Sequence, residues 1–315
     1  MKKSIFYVFL IALCVSLTAC SKKQTSVDLR FRLEKGKTYK TIVNMEQEIE
    51  QTVMGMKQKM DQNMTMEYSY EVQDIDKEGY RKIKMTYDAL RFEQKNPMMT
   101  LLYDSKTKEG EDSVFGNIFG SMVGKNIYIT VNEKGKVSAV DGFDEIMKGM
   151  ANSVPAQTEQ QKQMVEKMVQ EQEKAFGSKE TFEKMFGMYA DKVLNIGDTW
   201  ETKMSMQGNF PMNTINKFTL KDIVKGNAVI AVQVEIGSLD GKQSMPGMPD
   251  GSMKVSLKGT GTGEILVDID TGWIVSSTMD QIIDGEIVIL PTEEMPDGQK
   301  WPMHIVSKIT QKESK

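Results

Sequence analysis

The sequence predicts an α+β fold: two similar, strongly curved antiparallel β units, half-barrel or sandwich-like, with a helical insert between them. Three observations predict it. Apolar residues alternate with period two in both flanks of the chain, and the period lengthens to that of a helix in the middle. Three short segments of the first flank also recur, in the same order, in the second. Period two puts alternate side chains on one face of a strand, and a 3.6-residue period puts them on one stripe of a helix.

The chain opens with Lys2 and Lys3, an apolar run from Ile5 to Leu17, and then Leu17-Thr18-Ala19-Cys20. A basic start, a short apolar segment and small residues before a cut site describe a secretory signal peptide over residues 1–19. The run is shorter than the ~20 apolar residues of a membrane-spanning helix. A Cys directly after Ala19 resembles the lipobox of bacterial lipoproteins. That resemblance implies cleavage before Cys20, a diacylglycerol on its sulfur and an acylated amine. Several acyl chains anchor a protein stably where one binds marginally, so the membrane is the expected partner through the N-terminal lipid. Ser21 is not the Asp that favours inner-membrane retention, and Lys22-Lys23 is not an acidic surface-display run. An outer-membrane lipoprotein facing the periplasm is therefore expected. Residues 20–26 are the lipidated Cys and a polar tether.

The first β unit is expected over residues 27–140. Thr38 to Val53 mixes β-branched and polar residues. From Met54 the even positions carry Met54, Met56, Met60, Met64, Met66, Tyr68, Tyr70 and Val72, the pattern of a strand with one apolar face. The segment around Gly55 to Asp61 is expected to turn. Arg81 to Phe92 reads as a strand entered through Asp76-Lys77-Glu78-Gly79, and Asn132-Glu133-Lys134-Gly135 as a hairpin turn between strands 127–131 and 136–140. The helical insert is expected over 141–192. It comprises a short helix from Gly142 to Ala151, a Gln-, Glu- and Met-rich helix from Ser153-Val154-Pro155 to Phe176, and a helix capped by Ser178 running to Ala190.

The second β unit is expected over 193–315. Gly36-Lys37-Thr38-Tyr39 matches Gly197-Asp198-Thr199-Trp200, Val72-Gln73-Asp74-Ile75 matches Leu220-Lys221-Asp222-Ile223, and 129–137 matches 266–274. Two copies of one β unit account for the common order, with Tyr39 and Trp200 each packing into its own unit. On these motifs, the lipobox and Asp268-Ile269-Asp270-Thr271-Gly272-Trp273, the whole chain is similar to a family of bacterial lipoproteins of unknown function. The alternation of curved sheet and helix also resembles half-barrel carriers that shuttle lipids or lipoproteins across the periplasm. Fold alone does not imply function.

Composition narrows the chemistry. The chain has 40 basic and 44 acidic side chains, and loss of Lys2 and Lys3 with the signal makes it more acidic. No basic run suits nucleic acid. Its two cysteines are Cys14, in the signal, and Cys20, so the exported domain has no disulfide to stabilise it. His304 is the only histidine, which argues against zinc sites and Ser-His-Asp or Cys-His catalysis. Asp74 to Gly79 opens like a calcium loop, but Met85 stands where a bidentate Glu is required. Gly259-Thr260-Gly261-Thr262-Gly263 has no helix after it and is no dinucleotide fingerprint. No catalytic residue, cofactor or metal site is expected.

What remains is methionine, 26 residues of it. Thioethers suit a core, an adaptable apolar surface or a soft metal. The candidate apolar face is Met64, Met66, Tyr68 and Tyr70, with Met204 and Met206 in the second unit. The leading expectation is a non-enzymatic binder or carrier of an apolar ligand. The alternatives are a structural or interaction lipoprotein without a ligand and, third, soft-metal binding through Met.

Overall fold

The computed structural model describes residues 24–53, 55–154, 158, 177, 179–206, 212–239, 251–291 and 296–314. The described elements are β1 (Ser26–Val27), β2 (Thr38–Val53), β3 (Met56–Ile75), β4 (Arg81–Lys95), β5 (Thr100–Asp104), α1 (Val114–Gly120), β6 (Asn126–Val131), β7 (Val137–Asp141), α2 (Phe143–Ser153), α3 (Lys179–Met185), β8 (Leu194–Asn195), β9 (Thr199–Met206), β10 (Met212–Val224), β11 (Asn227–Ser238), β12 (Met253–Asp268), β13 (Ile274–Ile289) and β14 (Gln299–Ser314).

The architecture is mainly β rather than α+β. Among the described residues one open antiparallel sheet holds twelve strands, in the order β7-β6-β4-β3-β2-β14-β13-β12-β11-β10-β9, with β5 beside the far half of β4. The two expected β units are thus not separate sheets. β14 pairs with β13 on one side and with β2 on the other, which joins them. β1 and β8 form a separate two-residue ladder.

The sheet curls. At ~4.8 Å per strand, its eleven-strand path would span about 48 Å if flat. Yet α3, seven residues and hence only about 10 Å long, packs on both edge strands, β7 and β9. One end of the sheet is therefore wrapped nearly into a ring, with α3 at the seam. This near end carries the turns at 76–80, 132–136, 225–226 and 268–273, and it is plugged. The extended segment carrying Leu29, Phe31 and Leu33, all buried, runs through it. Phe31 N–H donates to Glu133 O (2.8 Å) and Arg32 N–H to Thr271 O (2.7 Å), tying the hairpin turns of the two halves together. Phe31 packs on Phe186 and Tyr189 at 5.0 and 5.7 Å. The buried Arg30 guanidinium donates to Ala190 O and pairs with Asp28 at 2.9 Å.

The matched motifs make matched bonds. Gly36 (φ 77°) donates to Val72 O (2.8 Å), which returns a bond from its own N–H to Lys37 O (3.1 Å). Gly197 (φ 95°) donates to Leu220 O (2.8 Å), and Leu220 N–H bonds Asp198 O (3.0 Å). A register shift follows each anchor, at Val72/Asp74 and Leu220/Asp222. Left-handed φ makes glycine the fitting residue at both places. Trp200 stacks on Phe218 of its own half at 5.3 Å and donates its indole N–H to Met188 O (3.0 Å). Tyr39 instead packs on Trp273 of the other half at 5.2 Å, because the curl brings the 268–273 turn over the start of β2.

The helices depart from expectation in two places. α1 lies ahead of the expected insert, started by Ser113, whose Oγ accepts from Gly116 N–H (2.9 Å). α3 ends at Met185 rather than Ala190. Phe186 to Ala190 turn instead, which frees the Met188 and Ala190 carbonyls for Trp200 and Arg30. α2 forms where the first short helix is expected, while the helix from Pro155 to Phe176 falls outside the described residues, as do the signal peptide, Cys20 and Met54.

Candidate functional site: an uncharged inner face

The face turned into the curl can be read from register. Across the far half, Phe92, Met64, Met45, Ile309, Met279 and Gly263 align on six successive strands. A second apolar row runs through Met60, Ile49, Ile305, Ile283 and Gly259. Charged residues at inward positions, Arg81 and Glu313, lie at the near end, where Arg81 Nε donates to Leu33 O (3.0 Å). The outer positions carry the charge: Glu46, Glu48 and Glu50 on β2, Lys254 and Lys258 on β12, Asp280 and Asp284 on β13, Lys308 and Lys312 on β14. This is alternation of the kind that solvates one face of an antiparallel sheet and leaves the other apolar.

Burial changes along this one face. At the near end Val72, Ile83, Val131, Leu220, Ile230 and Val267 are at most 1% exposed. In the far half Met45, Ile49, Met60, Met64, Met279, Ile283, Ile305 and Ile309 are only half-buried. Two buried clusters flank them. On one side Leu90, Phe92 and Tyr103 pack with Phe119 and Met122, the Phe92 and Phe119 rings 4.8 Å apart. On the other, Met253, Val255, Leu257, Ile287 and Ile289 pack with Trp301 and Met303. Between the flanks lies a trough whose partly wetted floor carries the two apolar rows with one polar row between them.

Gly259, Gly261 and Gly263 share the inward parity of β12. A Cβ on them would meet Ile282 O at 2.6 Å, Gln281 Cγ at 2.8 Å and Thr278 O at 2.2 Å, so β13 lies closer than a side chain allows. Three glycines at alternate positions are a readable signal of a bare strand face, beyond the negative finding on nucleotide binding.

The expected face residues are only partly brought together. Met64, Met66, Tyr68 and Tyr70 lie inward on β3, with Met64 and Met66 against the flank cluster that α1 covers. Tyr68 donates to Met66 Sδ (2.8 Å) and stands 5.0 Å from Tyr87, and Tyr70 stands 5.3 Å from Trp273. Burial, with the neighbouring phenols, pushes the Tyr68 and Tyr70 hydroxyls well above the usual tyrosine range. They therefore stay protonated donors. Met204 lies inward on β9, opposite Thr214, and the Met206 backbone pairs with Met212. Six strands separate β9 from β3 in the sheet order, so the two groups are ends of one face rather than one cluster.

His304 faces outward beside Asp284, Nδ1 to Oδ1 2.6 Å. The Asp284 hydrogen bond, with Asp284, Glu50 and Glu48 charge, raises its pKa above 6.5. A raised folded-state pKa stabilises below the unfolded value and loses that contribution as pH climbs through the folded one. We expect the His304 imidazole to titrate above 6.5 by NMR and Asp284→Asn to return it toward 6.5. An unshifted titration in the unaltered chain would sink the assignment. Two surface hollows, of about 430 and 720 Å³, lie at the β2–β3 tip and across β10 to β13. Among the described residues no three His, Cys, Asp or Glu side chains are grouped to hold a metal ion, and no helix is long and apolar enough to cross a membrane.

Residues 78–274, from the turn before β4 to the start of β13, match a family described as a family of unknown function, DUF6263. The chain belongs to the DUF6263 family. The match runs through both halves of the DUF6263 sheet and the helices between them. No curated protein matches the sequence. Among solved structures, a chain described under lipid–protein interactions in lipovitellin is 9% identical with a TM-score of 0.48. The alignment covers 90% of this chain but only 25% of the lipovitellin chain. Pseudomonas aeruginosa OpdQ is 6% identical over 88% of this chain and 99% of its own, TM-score 0.22. The COG4313 outer membrane channel of Pseudomonas putida F1 is 8% identical over 91% and 98%, TM-score 0.23. Likeness at these scores carries no argument about function.

Proposed function

We propose that this protein is a lipid-anchored envelope protein that binds an apolar ligand along the far half of its inner face. The observation that carries the reading is the burial change along one face. The same inner face is filled by protein at the near end and left half-covered at the far end. Half-buried Met and Ile gain by losing the rest of their contact with water, about 25 cal/mol per Å² of apolar surface. Methionine adapts to irregular apolar shapes. The proposed role is non-enzymatic.

The lipobox resemblance supports attachment through Cys20, in the outer membrane and facing the periplasm. The six residue steps from Cys20 to Ser26 reach at most ~22 Å when extended, so a lipid on Cys20 holds the plugged end near the membrane, since Ser26 and Val27 pair there with β8. The matched bonds at Gly36 and Gly197 support duplication of one five-stranded meander, β2-β3-β4-β6-β7 and β9-β10-β11-β12-β13, with β14 filling one junction and α3 the other.

Cys20→Ser is expected to release the protein from the membrane fraction, and mass spectrometry of the purified protein to find a co-purifying lipid. Retention of the variant in membranes overturns the anchor. Ligand-free protein that also fails to take up an apolar probe favours a structural role, and stoichiometric copper or silver favours the soft-metal reading.

A further inference from the structure

We infer that the trough is built for a neutral amphiphile, an acyl chain carried on an uncharged ester linkage, and that a row of amides and one hydroxyl holds that linkage. This rests on the apolar-ligand reading and narrows it to a ligand class. The decisive juxtaposition is a register row. Gln94, Gln62, Gln47, Ser307 and Gln281 align across β4, β3, β2, β14 and β13, five adjacent strands. The inward rows on either side, about 6.6 Å away along the strands, are the two apolar rows described above. A polar band therefore crosses the floor between two apolar rows. A further amide pair, Gln51 and Gln58, faces inward nearer the β2–β3 tip and is bonded within itself (Nε2 to Oε1 3.3 Å).

The band is incompletely satisfied from within. Gln47 Nε2 donates to Ser307 Oγ (3.0 Å), and Gln62 Nε2 stands 3.5 Å from Gln47 Oε1. The side chains of Gln94 and Gln281 make no hydrogen bond among the described residues, yet both are half-buried. A primary amide offers two N–H donors and a carbonyl acceptor. Spare donors at this depth match the carbonyl oxygens of an ester, and the spare acceptors match a glycerol hydroxyl. Charge decides against the common alternative. Among the described residues no cationic side chain faces inward in the far half, so a carboxylate or phosphate drawn onto this floor loses water without gaining a counter-charge. The head of such a lipid is excluded, whereas a neutral ester is accepted.

The test uses the Cys20→Ser chain loaded with the neutral fluorescent dye N-phenyl-1-naphthylamine. Three competitors displace it: monoolein, ionised oleate and octadecene. Monoolein is expected to displace the dye at a concentration at least tenfold below either of the others. Gln281→Leu, whose side chain makes no internal bond to lose, is expected to cut that advantage about threefold while leaving octadecene binding intact. Gln47→Leu is expected to do the same. Equal displacement by all three overturns the ester site but leaves the apolar-ligand reading standing. No dye uptake at all removes both. Variants that melt earlier without changing the ranking of competitors would show the band to be internal glue, and that result also overturns the inference.

Discussion

Trp273→Ala is expected to destabilise the fold by about 3–5 kcal/mol, the range for truncating a buried large aromatic. Trp273 is 7% exposed and sits where the two halves of the sheet meet. Its ring lies 5.2 Å from Tyr39 and 5.3 Å from Tyr70, both of the first half, while its backbone closes the β12–β13 turn. In that turn Asp268 Oδ1 accepts from Thr271 N–H (2.8 Å) and Oγ1 (2.6 Å), and Gly272 O accepts from the Tyr189 hydroxyl (2.7 Å). The indole N–H is buried without a partner, so no hydrogen bond is lost on truncation and the cost is packing alone. Denaturant unfolding measures it: the midpoint should fall at constant slope. An unmoved midpoint would mean that the near end does not bind the two halves into one cooperative unit.

Much of the sheet is written locally in the chain. The even-numbered Met and Tyr residues from 56 to 70 fix the inward face of β3, and the strand keeps that parity from Met56 to Val72, where the register shifts, because a period-two pattern holds wherever one face is buried. The turns at 132–135 and 268–272 were legible for the same reason: Asn132 and Asp268 bond the backbone of their own turns. The joining of the halves was not legible. It depends on β14 pairing Ile305 with Ile49 and Ile283, and no local pattern names a partner so far away in sequence. α1 was invisible because Gly116 and Gly120 weaken its helix propensity. It is held by Phe115 and Phe119 stacking over Phe92, at 6.3 and 4.8 Å. The candidate face was half-legible. Methionines mark it in sequence, but Gln47, Gln62, Ser307 and Gln281 become a row only once four strands are in register. Met204 and Met206 share the face at its opposite edge for reasons the first-half alternation could not show.

Two isoleucines on this one face provide the sharpest contrast the trough allows. Ile83→Ala is expected to cost about 2–5 kcal/mol, because Ile83 is 1% exposed between Val72 and Ile129 and its loss leaves a closed cavity. Ile305→Ala is expected to cost only about 1 kcal/mol. Full burial of such a side chain contributes about 1.5–3 kcal/mol. Ile305 is only partly buried and has less than that to lose. Ligand uptake should respond in the opposite order. Ile305→Ala removes contact surface from the middle of an apolar row and weakens retention of an apolar probe, whereas folded Ile83→Ala leaves it unchanged, since the plug separates Ile83 from the trough. Paired chemical denaturation and probe titration read both quantities on the same preparations. Equal stability losses at the two positions would mean the far half is filled core, and the ligand reading would lose the observation it stands on.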